Sequence, residues 1–387
     1  MMSDRASNTL RPHGVRSATL LGSGIAVVTT MVVSPQLLGG VFPWSIALIA
    51  AMAAVTGLLT SHSAPVANDA SASARLLDWL VIAAVAWTGL QLLPLPTAVV
   101  SYFVPESVDA WNAADALLHR TPHSWIPLSL DPGATLLELA KGSAIVTMYL
   151  VGRVLAASRR RHLVLIAVGT SGAAMALVAF GHRVSNAEKV FGLYEPVYAG
   201  TRLLAPLMNE NHLGGFMALV TPILLGLALD SRRRESQVAW AMSAVACGVA
   251  GVLSFSRGGI LALGVGLALY VIVYAVRQRK QKRAVLQNRT LLAIVTVLVL
   301  TTGLIVAVVG SDLQREFGFT ENRTAKLDAA RAALPVIGTH WITGVGRGAF
   351  SVAFVGEHGS AKRFFYPENL PIQWTSEWGV VFGIALL

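Results

Sequence analysis

Nine stretches of this chain are apolar over lengths that match a lipid bilayer: 17–34, 41–60, 76–93, 134–157, 162–181, 204–229, 238–256, 258–276 and 291–310. A helix rises about 1.5 Å per residue, so roughly 17–25 apolar residues cross a hydrocarbon core. In hydrocarbon every backbone N–H and C=O must be paired within the chain, and a continuous helix meets that demand alone. A further apolar run opens near Ser376 and reaches Leu387. Only 13% of the 387 residues are charged, about half the share of a soluble domain. The expected fold class is an all-α polytopic membrane protein of about ten or more spans.

The formal net charge of +10 would suit a nucleic-acid partner, but its distribution answers to a membrane instead. Basic clusters stand at the N-terminus (Arg5, Arg11, Arg16), in "SRRRH" (158–162), in "DSRRRES" (230–236) and in "RQRKQKR" (277–283). If the runs alternate across a bilayer, all four fall on one side. Positive residues stay cytoplasmic, which places the N-terminus inside. The connection 61–75 supports this step with Arg75 alone. The first run lacks a small-residue cleavage site and reads as a retained anchor. The single cysteine, Cys247, excludes an intrachain disulfide. Three regions follow. Residues 1–310 form a transmembrane bundle with nine spans and an outer segment near 94–133. Residues 311–375 form an outer loop, and 376–387 read as the start of a further span.

The polar motifs gather at the outer side of this topology. "NENH" (209–212) stands at the mouth of the sixth run, where Asn209 or Asn211 can cap a helix. In "SFSRGG" (254–259), Arg257 is the only charge between Val238 and Val276. It reads either as an anion ligand or as an arginine reaching to headgroups. Gly258 and Gly259 are expected to make the turn between two spans. "ENRTAKLDAARAAL" (321–334) puts Leu327, Ala330 and Leu334 on one stripe, as in a helix lying on a membrane surface. "GVGRGAF" (344–350) resembles a dinucleotide loop only superficially, because no strand precedes it. Its glycines are expected to set a turn that presents Arg347. "YPENLPIQWTSEWG" (366–379) carries Glu368, Asn369, Gln373 and Glu377, with Gln373 and Glu377 on one helix face. No HExxH, CxxC, Walker loop or Asp-x-Asp pattern occurs in the outer segments, so metal and nucleotide chemistry have no visible seat there.

Four of these motifs, "PLMNENHLGGFMAL", "SFSRGGILAL", the "NRTAKLDAARAAL…ITGVGRGAF" block and "PENLPIQWTSEWG", stand in an order that resembles the O-antigen ligase/polymerase superfamily of bacterial envelope glycosyltransferases. "QLLPLP" (91–96) and "SLDPGATLLEL" (129–139) resemble the amino-terminal half of its exopolysaccharide-polymerase-like members. The resemblance implies a bacterial inner-membrane enzyme with its active site on the periplasmic face. It would move a glycan from a polyprenyl diphosphate carrier to an acceptor sugar, such as the lipid A core or another lipid-linked glycan. It would need no metal and no cofactor. Its partners would be those substrates, membrane lipid and other polysaccharide-assembly proteins. By position, Arg257 and Arg323 would hold the diphosphate, with Arg202 a further candidate. Asn209, Asn211, His212, Arg347, Asn369 and Gln373 would contact glycan or phosphate. Many relatives carry a His before the Asn of the last motif, and Glu368 stands in that place as the expected general base.

The chemistry of the residues fits this implication. A departing diphosphate gathers negative charge, and guanidinium groups are planar, bidentate and permanently charged. An acceptor hydroxyl needs a base within hydrogen-bond reach. A lipid-linked sugar transporter is the competing class, but transporters place polar groups near the bilayer midplane in repeated halves. Here they gather at one face and no repeat is visible. An inactive scaffold of an assembly complex is the third reading, which the Glu368 departure keeps open. The topology makes a direct prediction. A periplasm-active reporter fused near Lys280 should be silent, and one fused near Gly338 should be active; the reverse pattern would overturn the orientation.

Overall fold

A computed structural model of the chain describes residues 13–63, 72–196, 203–280, 321–358, 366–367 and 369–386. The apolar runs among them are helices: α1 (His13–Gln36), α2 (Pro43–Ser63), α3 (Ala72–Leu90), α6 (Pro132–Ala157), α7 (Arg161–Val184), α8 (Glu210–Asp230), α9 (Arg234–Leu253) and α10 (Arg257–Lys280). Between α3 and α6 lie the short helices α4 (Thr97–Phe103) and α5 (Pro105–Leu117). Toward the C-terminus follow α11 (Glu321–Ala332), α12 (Leu334–Thr339), α13 (Phe350–His358), α14 (Leu370–Trp378) and α15 (Val380–Ala385). The described residues are mostly helical, as expected. The one ladder among them is short: β1 (Leu95–Pro96) pairs antiparallel with β2 (Trp125–Ile126) across α4 and α5.

Among the described residues, six helices are long and apolar enough to cross a membrane: Pro43–Ser61, Pro132–Ala157, Arg161–Val184, Glu210–Asp230, Arg234–Leu253 and Arg257–Arg277. That is fewer than the ten or more expected, and the run 291–310 lies outside the described residues. Six helices of this length and apolarity are what a multi-pass membrane protein requires. The apolar run from Ser376 is also not one helix. Glu377 and Trp378 end α14, Gly379 sits at φ +82°, and α15 starts afresh at Val380.

The chain divides into two compact units. The first comprises Met1–Val66 and Val151–Gly318. Its centre is α8, which packs against α7, α9 and α10, while α1 packs against α2 and α7. Met175, Ala176 and Ala179 of α7 meet Met217, Val220 and Leu224 of α8 and Ala244, Cys247 and Ala250 of α9, all buried. Small residues set the spacing. A Cβ on Gly172 would run into the Val220 side chain, and one on Gly169 would lie 3.0 Å from Leu224 and Leu227. Close backbone approach is how apolar helices associate where no hydrophobic force drives them together. Hydroxyls add links: Thr30 bonds Thr56 at 2.8 Å between α1 and α2, and Ser171 donates to the Met31 carbonyl at 2.7 Å.

The second unit comprises Ala67–Leu150 and Phe319–Leu387. One core gathers Val100, Ile126 and Leu128 with Trp87, Leu95, Val108 and Trp111 around the two strands. Another gathers Val336, Val345, Ala349 and Ala353 with Leu130. Asp131 caps α6, accepting from the Ala134 N–H at 2.9 Å, and Pro132 occupies the first turn, where its missing N–H costs nothing. The 321–334 segment is helical to Ala332, and two residues of its expected stripe are exposed. Leu327 is 58% and Leu334 55% exposed, whereas Ala329 and Ala333 are buried, Ala333 against Phe350 and Phe354. The Gly172 contact generates a test. Gly172→Ala should cost about 1–3 kcal/mol by overpacking, and Val220→Ala in the same chain should restore most of it, as read by thermal unfolding in detergent.

Candidate functional site

Helix α8 starts at Glu210 because Asn209 caps it. The Asn209 backbone is extended, and its side-chain oxygen accepts from the N–H groups of Asn211 (2.9 Å) and His212 (3.4 Å). At the start of α10, the Ser256 hydroxyl accepts from the Gly259 N–H at 3.1 Å. It also donates to the Asn211 side-chain oxygen at 2.8 Å, joining the two helix starts. The contact beneath is tighter still. A Cβ on Gly259 would lie 2.7 Å from the Gly214 Cα, and one on Gly214 would lie 2.7 Å from the Ser254 hydroxyl.

The turn between α9 and α10 corrects the expectation for Gly258 and Gly259. Both lie inside α10. The chain reverses at Ser254–Ser256, with Phe255 at φ +56°, so a non-glycine residue takes the left-handed conformation. Gly259 serves the approach to Gly214 instead. "NENH" and "SFSRGG", 45 residues apart at the Asn211–Ser256 bond, therefore converge on one end of the first unit. Two helix N-termini open there, and Arg257 is the first residue of one of them. Unpaired N–H groups and aligned peptide dipoles make such an end attractive to anions. Asn209, Asn211 and His212 are exposed, and Arg257 is partly buried.

The other sequence candidates belong to the second unit or lie outside the described residues. Arg202 and Glu368 are outside them. Arg323 stands in the first turn of α11, with its side chain not described. Asn369 caps α14, accepting from the Ile372 N–H at 3.2 Å. Gln373 donates to Glu377 at 3.3 Å, as their spacing implied. The glycines of "GVGRGAF" do make a turn: Gly344, Gly346 and Gly348 all have positive φ. A Cβ on Gly344 would strike the Glu377 carbonyl, and one on Gly346 would lie 2.8 Å from the Ser129 Cα.

Arg347 is not presented outward by that turn. It is 17% exposed and its guanidinium is held by the Glu377 carboxylate, by Glu138 at 3.4 Å and by the face of Trp378 at 5.0 Å. Glu377 is fully buried. A carboxylate without water is tolerated only beside a fixed opposite charge and hydrogen-bond donors. The sequence marked Glu377 only through its spacing to Gln373, and gave no signal for Glu138. It also gave none for the Asp115–His123 pair. There the imidazole Nδ1 meets a buried carboxylate at 2.7 Å, and its hydrogen bond holds Asp115 below the usual carboxylate range. That pair closes the loop after α5.

The buried pair yields a prediction. Arg347→Ala should cost about 3–5 kcal/mol, because it leaves Glu377 uncompensated. The double variant Arg347→Met/Glu377→Leu should lose clearly less than Arg347→Ala alone. Thermal unfolding of the three purified proteins distinguishes the cases, and equal losses would remove the pairing from the account.

Comparison with known proteins adds to this geometry. Residues 242–387 match the family model described as O-antigen ligase. The match starts within α9 and takes in "SFSRGG", "NRTAK", "GVGRGAF" and "PENLPIQWTSEWG". Searches of curated proteins and of solved structures find no match. Over residues 242–387 the chain is therefore similar to the O-antigen ligase family, in keeping with the resemblance to the O-antigen ligase/polymerase superfamily carried by those motifs.

Proposed function

We propose that this protein is a metal-independent glycosyltransferase of a bacterial inner membrane, acting on its periplasmic face. It moves a glycan from a polyprenyl diphosphate to an acceptor sugar, either the lipid A core or another lipid-linked glycan. The observation that carries this reading is the pairing of two helix N-termini with Arg257 at one end of the first unit. A diphosphate leaving group gathers charge as the glycosidic bond breaks. Peptide dipoles and a guanidinium fixed in advance stabilise that charge without reorganising.

In this reading Arg257 binds the diphosphate, with Arg202 and Arg323 as further phosphate contacts. Asn211 and His212 stand beside it and orient phosphate or sugar hydroxyls, while Asn209 holds the start of α8. Glu368 takes the proton from the acceptor hydroxyl, on the strength of its place before Asn369, where many relatives carry His. Asn369 and Gln373 contact the incoming sugar or orient the base. Arg347, with its guanidinium engaged by two carboxylates, positions its loop rather than holding phosphate.

The test uses purified protein and a lipid-linked oligosaccharide donor. Arg257→Ala should lose about 2–4 kcal/mol of transition-state stabilisation, and Arg257→Lys should recover little of it, since an ammonium lacks the bidentate fork. Wild-type turnover in a folded Arg257→Ala protein would return Arg257 to a headgroup contact. Glu368→Gln should slow transfer while donor binding persists, and Glu368→His should recover part of the rate. Full activity of Glu368→Gln would move the base elsewhere, with His212 next in line.

A further inference from the structure

Gln91, the residue that follows α3, is fully buried, and its side chain meets no other side chain in a hydrogen bond among those described. Its amide nitrogen donates to the carbonyls of Thr343 and Glu377, both at 2.8 Å. Its amide oxygen accepts from the Arg347 N–H at 3.1 Å. Both donors and the acceptor are thus spent on the main chain of two segments more than 250 residues away in sequence. The Gln91 carbonyl accepts in turn from the Ser129 N–H at 3.0 Å. Neighbours on the same turn act alongside. The Trp87 indole donates to the Trp378 carbonyl at 3.0 Å, and the Trp378 indole donates to the Thr88 hydroxyl at 2.9 Å.

These bonds fix α14 in rotation as well as in position. Its last turn is held through the Glu377 carbonyl, the Trp378 carbonyl and the Trp378 ring. The Glu377 carboxylate is held by Arg347, and Gln373 is held by Glu377. Asn369 and Gln373 ride on the same helix, one at its cap and one a turn further on. A helix pinned at its C-terminal end by several directional bonds presents its N-terminal residues along one direction only.

We propose that Gln91 is a positioning residue for glycan transfer: by binding the main chain at Thr343, Arg347 and Glu377, it fixes the rotation of α14 and so the direction of Asn369 and Gln373. The kinetic part of this inference rests on the transferase reading. Gln91 touches no substrate in it and acts through α14. A displacement of about 1 Å at a reacting group is enough to cost on the order of 100-fold in rate.

The experiment uses the full chain in lipid nanodiscs with a lipid-linked oligosaccharide donor. Gln91→Met keeps the length of the side chain and removes all three bonds. Gln91→Asn keeps the amide one methylene short, and carries the same test should Gln91→Met fail to fold. The expected result is a kcat lowered about 10- to 100-fold with the donor KM little changed. Amide hydrogen exchange should accelerate in 343–347 and 370–378 and stay unchanged in α8 and α9. Unchanged kcat, or exchange raised throughout the chain together with the donor KM, would overturn the proposal and leave Gln91 an ordinary core residue. If wild type releases no polyprenyl diphosphate, the transferase reading fails. The exchange pattern then decides the clamp alone: local acceleration keeps it, and none or a global rise removes it.

Discussion

Backbone against backbone is the contact on which the first unit depends. Gly214 of α8 and Gly259 of α10 lie so close that a methyl group on either would collide with the other helix or its turn. That approach brings Asn211 within reach of Ser256, and the bond between them joins the starts of two helices. A helix start carries N–H groups with no partner in the helix. Asn209 and Ser256 satisfy some of them, and the remainder face the same end. Arg257 and Glu210, the first residues of α10 and α8, stand at that end with opposite charges.

In the second unit the governing constraint is a buried acid. Glu377 has no access to water, so its charge must be met inside the protein. Arg347 meets it, and this requires the "GVGRGAF" turn to come within hydrogen-bond distance of the end of α14. Only glycine fits there: Gly344 faces the Glu377 carbonyl, Gly346 faces Ser129, and Gly379 faces Ile342. Val345 and Gly346 donate to the carbonyls of Ser376 and Glu377, and Val380 donates to that of Trp341. The loop and the helix end thus form one hydrogen-bonded block, with Gln91 inserted between them.

The spans were legible because a membrane imposes a simple length and polarity rule, and the described helices fall on the apolar runs within a few residues. The capping role of Asn209 and the Gln373–Glu377 pair were equally legible, since both are local in sequence. What escaped was long-range. Nothing local in "QLLPLP" says that Gln91 binds two distant backbones. Nothing in "SRGG" says that Gly259 is needed for Gly214 rather than for a turn, because a glycine satisfies both demands and only the partner decides. Arg347 looked presented because a glycine turn usually projects its neighbours, and its acidic partners stand 30 residues downstream and in another helix. Of the candidate site, the sequence order identified "NENH" and "SFSRGG" as motifs, and the fold supplies the reason they belong together.

The central claim is chemical: a bond between glycan and diphosphate is broken, rather than a lipid-linked glycan being moved across a bilayer. Incubation of the purified wild-type chain with a lipid-linked oligosaccharide and an acceptor glycan, followed by mass analysis of lipid and glycan fractions, tests it most directly. Polyprenyl diphosphate should appear in step with a lengthened acceptor, one molecule of each for every donor consumed. A donor recovered intact, even if transferred to the opposite leaflet, would contradict the account.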